Sequence, residues 1–215
     1  AVTAVEIDSA LLPILKETLR DFTNVSILHG DILKLDLTGL AQDAFQGKPY
    51  KVVANLPYYI TTPIIMRFLE EEQPFISITV MIQKEVAERM AAVPGSKDYG
   101  ALSIAVQFYT QPRIIGKVPS GVFMPSPKVD SIVISLDKRE EPAVAVKNRS
   151  DFFRIVRAVF SQRRKTLLNA LFAANWTDIG KEELRKKLIS LNIDPQRRGE
   201  TLSLEELAAL SNNLL

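Results

Sequence analysis

Cysteine is absent from these 215 residues and histidine occurs once. The first absence excludes disulfides and thiolate metal sites, and the second leaves nothing from which to build a histidine-based metal centre, so no metal is expected. No apolar run approaches the ~18–20 residues that a membrane-spanning helix needs. The best candidate, residues 75–82, has the length of a strand. No internal repeat or low-complexity tract is present, and the opening residues 1–6 read as a strand rather than a secretory signal. The expectation is a cytoplasmic protein. With 47% hydrophobic residues the chain can bury a sizeable core, divided naturally into one large domain and one small one.

Acidic residues are scarce in one place. The formal net charge is only +2, yet residues 1–137 carry 12 Lys/Arg against 15 Asp/Glu, whereas residues 138–215 carry 15 against 10. The last third is therefore the surface suited to a polyanion. Within it Arg154, Arg157, Arg163, Arg164 and Lys165 fall in twelve residues that hold no acid. Phe152, Phe153, Ile155, Val156, Val159 and Phe160 flank and interleave with them, so one helix face can pack while the other stays cationic. Such a cluster is ordinarily a solvated face. The absence of any acid inside it points instead to contact with RNA phosphates.

Up to about residue 138, short apolar runs alternate with helical patterns. Strands are expected over residues 2–7, 25–28, 51–54 and 75–82. Helices are expected from a Ser9 cap to about 20, over 63–69, 85–92 and 99–109, and an antiparallel strand pair over 114–118 and 128–136. Near-continuous apolar strands alternating with helices predict an α/β fold with a mostly parallel sheet covered on both faces. Beyond residues 140–142 (Glu-Glu-Pro) the spacing turns helical throughout, over 152–160, 166–174, 181–189 and 203–210. The expected division is residues 1–140 and a small all-helical domain, 141–215. Trp176 reads as a packing anchor of that domain, and Glu85 and Arg89, four apart, as a surface ion pair.

Ligands of doubly wound sheets bind at the carboxyl ends of the strands. Glu6, Asp31 and Asn55 each stand where a strand pattern stops. An acid such as Glu6 suits both hydroxyls of a ribose, and Asp31 suits an adenine amine with Ile32 packed on the ring. For either acid alone, a helix cap or solvated turn is the simpler reading; their joint placement around Asn55-Leu56-Pro57-Tyr58 changes that. The exocyclic amine of adenine is a poor nucleophile because its lone pair is delocalised into the ring. The Asn55 amide oxygen and the Leu56 carbonyl can accept its two protons, which localises that lone pair on nitrogen. Pro57 stiffens the backbone that aims the carbonyl. Tyr58 offers a stacking face for a flipped-out base, a contact worth about 1–3 kcal/mol. The simpler reading of the tetrapeptide is a β-turn with a surface tyrosine. His29 reads as structural, and Tyr59 as neutral.

These motifs resemble those of the KsgA-type ribosomal RNA adenine dimethyltransferases, whose relatives include the Erm resistance methyltransferases. In this likeness Val5-Glu6-Ile7-Asp8 resembles the ribose-binding acidic motif, His29-Gly30-Asp31-Ile32-Leu33 the adenine-binding motif and Asn55-Leu56-Pro57-Tyr58 the catalytic motif. Residues 83–90, Tyr99-Gly100 and residues 123–131 follow the same family, as does the stretch 160–167. That last stretch is closer to the KsgA branch than to the Erm branch. The resemblance implies S-adenosylmethionine as cofactor and a Rossmann-like class I methyltransferase sheet. It places Glu6, Ile7, Asp31, Ile32 and Asn55 at the cofactor. Phe123 joins the catalytic set as a ring that stacks the target base. The implied reaction is methylation of two adjacent adenines near the 3′ end of small-subunit ribosomal RNA, by a monomer acting on RNA or a pre-ribosomal particle.

In one respect the sequence departs from that pattern. The family's Gly-rich cofactor loop follows a strand upstream of the acidic motif, and here the first strand pattern is already the one that ends at Glu6. A gap is expected between the strands ending at Glu6 and Asn55, or a separate piece filling it, with poor cofactor binding by the chain alone. Two other readings stay open: an Erm-type methyltransferase of large-subunit RNA, and a non-catalytic RNA-binding ribosome-assembly factor.

Overall fold

The computed structural model describes residues 1–174 and 179–214. They belong to two compact units, Ala1–Met81 and Ile82–Leu215. The first contains β1 (Val2–Glu6), α1 (Leu12–Thr18), β2 (Val25–His29), α2 (Leu37–Phe45), β3 (Tyr50–Asn55) and α3 (Thr61–Glu70). It ends in β4 (Phe75–Gln83), whose last residues belong to the second unit. β1 and β2 pair in parallel from Val2↔Val25 to Glu6↔His29, and β3 pairs in parallel with β4, setting Asn55 opposite Met81. The core of this unit forms where helix-spaced Ile64, Ile65, Phe68 and Leu69 of α3 are buried together with Phe75, Ile78 and Val80 of β4. Each such side chain contributes about 1.5–3 kcal/mol on burial.

Two elements differ from the sequence expectation. The first helix begins at Leu12, not after a Ser9 cap. Asp8 closes the preceding turn instead, its carboxylate accepting from the Ala10 amide at 2.9 Å and its carbonyl from Leu11 at 3.1 Å. The second is α2, which the sequence reading leaves out. It is started by Asp36, whose carboxylate accepts from the Thr38 and Gly39 amides at 3.1 and 3.0 Å, a cap worth about 1 kcal/mol. It stops at Gln46 in the left-handed region, φ 57°. The sequence does carry a signal for it: an Asx cap followed by Leu37, Leu40 and Ala41 on one face.

β1 and β2 form a sheet of their own, while β3 has β4 as its only ladder partner among the described residues. Between them lies an apolar cavity of about 680 Å³ lined by Val2 and Val5, Val52 and Ala54, and Ile65 and Val80. This is the gap expected between the strands ending at Glu6 and Asn55. Each of β1 and β3 carries one unpaired edge among the described residues, which is where an added strand satisfies backbone groups.

The second unit comprises α4 (Lys84–Met90), α5 (Ala101–Tyr109), β5 (Thr110–Val118), β6 (Ser131–Lys138), α6 (Arg149–Phe160), α7 (Leu167–Ala173), α8 (Lys181–Ser190) and α9 (Leu204–Leu214). β5 and β6 are antiparallel with a register shift between Ile114 and Gly116. The change of composition at residue 140 does not separate compact units. Phe108 of α5 stacks on Phe152 of α6 with centroids 5.0 Å apart, and Tyr99, Ile104 and Phe108 share one core with Leu167, Leu184 and Leu207. Aromatic burial across residue 140 welds the helices to the segment before it. Trp176 lies outside the described residues.

α9 is anchored electrostatically. Arg197 forms a two-point pair with Glu206, whose carboxylate also accepts from the Ser203 amide at 2.9 Å while Ser203 Oγ accepts from the Glu206 amide at 3.2 Å. The hydrogen bond from Arg197, opposed in part by burial, holds the Glu206 carboxyl below its ordinary range. A lowered folded-state value means the stabilisation is complete above the ordinary glutamate range and is lost as pH falls through the lowered value. Glu206→Gln is expected to lower stability at neutral pH by about 1–2 kcal/mol, with the difference from the parent shrinking on acidification below the ordinary glutamate range. Thermal unfolding of both proteins between neutral and acid pH measures this.

Candidate active site

Parallel pairing brings the ends of β1 and β2 side by side. The Gly30 amide donates to the Glu6 carbonyl at 2.9 Å, and His29 Nε2 donates to the Ile7 carbonyl at 3.1 Å, so His29 ties the two strand ends together. Gly30 lies close to Leu35: a Cβ there would stand 2.9 Å from Leu35 Cδ2, which would have to shift. Glu6 uses Oε1 to accept from the Asp8 amide at 2.8 Å. Asp31 uses Oδ1 to accept from Leu33 at 2.9 Å, and its Oδ2 has the exposed Lys34 ammonium at 3.7 Å. Each acid therefore commits one oxygen to shaping its own turn; the second oxygen of Asp31 is shared with Lys34, and that of Glu6 accepts no hydrogen bond among the described residues. Two carboxylates on adjacent strand ends, with Ile7 exposed and Ile32 half-buried beside them, fit the sugar and base of a nucleoside, the part of S-adenosylmethionine these residues are suited to hold.

At the end of β3 the backbone is arranged differently. Leu56 is buried and its amide donates to the Met81 carbonyl at 3.3 Å. The Pro57 carbonyl accepts twice, from the Ile60 amide and from Thr61 Oγ1, both at 3.1 Å. Among the described residues nothing donates to the Leu56 carbonyl, and the exposed Asn55 side chain has no hydrogen-bond partner. Two adjacent oxygen acceptors are thus left unsatisfied on a backbone stiffened by Pro57 and latched by Thr61. Tyr58 is half-buried, and Tyr59 is 83% exposed.

Phe123 belongs to the second unit. It follows the 3-10 turn Ser120–Val122, is half-buried, and donates its amide to the Ser120 carbonyl at 3.2 Å. Its loop is held by Asp130, which accepts from the Ser120 amide at 3.0 Å, and by Ser126 Oγ, which donates to the Ser120 carbonyl at 2.9 Å. The expected Glu85–Arg89 ion pair forms on α4.

The basic cluster divides. On α6 the buried face is Phe152, Ile155, Val156 and Val159, leaving Arg154 and Arg157 outside. Arg154 meets Asp151, just before the acid-free window, at 3.2 Å. Arg163 is largely committed to structure: one amine donates to the Lys97 carbonyl at 2.6 Å and reaches the Tyr99 carbonyl and Glu200 at 3.3 Å. Arg157, Arg164 and Lys165 are exposed, with no charged partner among the described residues. Sequence proximity could not separate these roles, because Arg163 is set apart by acceptors more than thirty positions away. No group of three or more His, Cys, Asp or Glu placed to hold a metal occurs among the described residues, and no helix among them is long and apolar enough to cross a membrane.

Comparison with known proteins bears on the fold and the family. A dimethyladenosine transferase from Plasmodium falciparum superposes with a TM-score of 0.77 at 26% identity, over 99% of this chain and 80% of that one. The 23S rRNA methyltransferase ErmE gives 0.71 at 22% identity, over 99% and 81%, a likeness of fold alone. Fold and site together define an α/β, Rossmann-like, S-adenosylmethionine-dependent methyltransferase. More particularly, residues 1–214 match the family model described as ribosomal RNA adenine dimethylase, and the chain belongs to that family. It is 56% identical to the ribosomal RNA small subunit methyltransferase A of Alkaliphilus oremlandii, over 100% of this chain and 74% of the relative. It is 54% identical to that of Clostridioides difficile, over 98% and 72%. The chain thus spans about three quarters of the length of these relatives.

The division of the basic cluster has a measurable consequence. Replacing Arg157, Arg164 and Lys165 together by alanine is expected to lower the log–log salt slope of RNA binding by about one unit for each phosphate no longer neutralised, with the melting temperature unchanged. Arg163→Ala is expected to lower the melting temperature and to leave the slope within about half a unit. A filter-binding salt titration beside thermal unfolding separates the two.

Proposed function

We propose that this protein transfers methyl groups from S-adenosylmethionine to the exocyclic amines of two adjacent adenines near the 3′ end of small-subunit ribosomal RNA. It acts in the cytoplasm as a monomer, on RNA assembled in a pre-ribosomal particle. The observation that supports this reading is that two acceptors on consecutive residues at the end of β3, Asn55 Oδ1 and the Leu56 carbonyl, have no donor among the described residues. Identity of 54–56% to small-subunit enzymes favours that RNA over the large subunit, to which the likeness is of fold only. The intact tetrapeptide favours an enzyme over a factor that only binds.

S-adenosylmethionine, when bound, supplies an electrophilic methyl group, and Glu6 and Asp31 would hold its ribose and adenine, with Ile7 and Ile32 against them. The chain's own contribution is to the acceptor. Asn55 Oδ1 and the Leu56 carbonyl take the two protons of the target amine, withdrawing its lone pair from the ring and aiming it. Tyr58 stacks on the extruded base, and Phe123 supplies a second ring. The methylated nitrogen is cationic as formed and becomes the neutral amine by losing one proton to water. Alignment of this kind accounts for up to about 7–11 kcal/mol of a barrier in well-oriented systems. Residues 1–140 carry the transfer in this reading, while the exposed cations of 141–215 hold the RNA.

Assayed at the full length of its relatives, Asn55→Ala is expected to reduce turnover by about two orders of magnitude or more and to leave cofactor affinity within a few-fold. Equal radiolabelled methyl transfer to small-subunit particles by mutant and parent removes Asn55 from the mechanism. Glu6→Ala is expected to do the reverse, weakening cofactor binding in calorimetry. An unchanged dissociation constant rules out Glu6 as the ribose ligand.

A further inference from the structure

α3 starts shortly after the tetrapeptide, where Thr61 latches onto the Pro57 carbonyl. Two turns along the same helix stands Arg67, an ordinary exposed-face cation by sequence position. Its side chain is only 18% exposed, and its guanidinium does not point to solvent. Nη1 donates to the Ile32 carbonyl at 2.6 Å, Nη2 to the Leu35 carbonyl at 2.5 Å, and Nε to Glu71 Oε1 at 2.6 Å. The two carbonyls belong to the turn that follows β2. That turn is closed internally by the Lys34 and Leu35 amides donating to the Asp31 carbonyl at 2.8 and 3.0 Å, and by the Leu33 amide on Asp31 Oδ1.

We propose that Arg67 is a positioning residue of the cofactor site: from α3 it clamps the 31–35 turn and so sets the direction in which Asp31 and Ile32 meet the adenine. The proposal rests on the reading of Asp31 and Ile32 as adenine ligands. A planar fork that bonds two carbonyls at once fixes the orientation of the turn, and Glu71 on the next helical turn keeps the fork from rotating. An ammonium has three freely rotating donors and no planar fork, so lysine retains the charge and loses the fixed two-point orientation. One helix is thereby latched at its start to the acceptor-amine motif and carries the brace of the adenine turn near its end, so displacement of α3 moves both.

The test uses the chain as it stands, with Arg67→Lys as the variant and adenosine and inosine as probes, because inosine lacks the 6-amine that Asp31 accepts from. Amide exchange and amide chemical shifts are the readouts. In the parent, adenosine is expected to shift the Gly30–Leu33 amides at concentrations where inosine does not. In Arg67→Lys the two nucleosides are expected to become equivalent, and exchange at Lys34 and Leu35 to rise about tenfold, with Val52 and Val53 of β3 unchanged. General loss of structure affects both nucleosides and all amides alike, so it does not produce this pattern. Asp31→Asn is the control. If the parent does not distinguish the nucleosides, or Asp31→Asn still does, the adenine reading of Asp31 falls and the proposal with it. If Asp31→Asn loses the distinction while Arg67→Lys keeps it, Arg67 alone is overturned.

Discussion

The arrangement of carbonyl acceptors at the end of β3 is the constraint on which the site depends. A strand that ends inside a protein must find donors for its last carbonyls or leave them facing a ligand. Here Pro57 has no amide to give, and its carbonyl is saturated by Ile60 and Thr61. The Leu56 carbonyl is left over, next to the Asn55 amide. Leu56 is itself anchored, its side chain buried and its amide bonded to the Met81 carbonyl at 3.3 Å. An acceptor held in place with no donor on the chain stays open to an N–H donor of a ligand.

The same division of labour governs the acids at the ends of β1 and β2. Glu6 and Asp31 each commit one oxygen to a nearby backbone amide. A carboxylate so engaged is oriented before any ligand arrives, which lowers the conformational cost of binding. The turn that carries Asp31 is in turn held by Arg67. Strand ends, turn and α3 thus form one mechanically continuous piece within the first unit.

The cavity between β1 and β3 bears on the cofactor rather than the acceptor. β1, which ends at Glu6, contributes Val2 and Val5 to its lining, and β3, which ends at Asn55, contributes Val52 and Ala54. The space between the strands is lined mainly by apolar side chains, with Thr3, Tyr50 and Lys51 as its polar members.

Much of this was legible in order along the chain. Alternating apolar runs located β1 to β6, and Asn55-Leu56-Pro57-Tyr58 stood out by residue type at the end of the third of them. Composition marked the helices after residue 140 and the cations among them. Tertiary structure alone decided the rest. It decided that Phe108 and Phe152 join both sides of residue 140 into one core, that Asp36 starts a helix, and that Arg163 binds Lys97 and Tyr99 while Arg164 does not. It also chose Arg67, whose partners lie more than thirty positions away. Local chemistry can be read from sequence because its distances are set by covalent geometry. The work of a long cationic side chain cannot, because the fold chooses which distant carbonyls come within its reach.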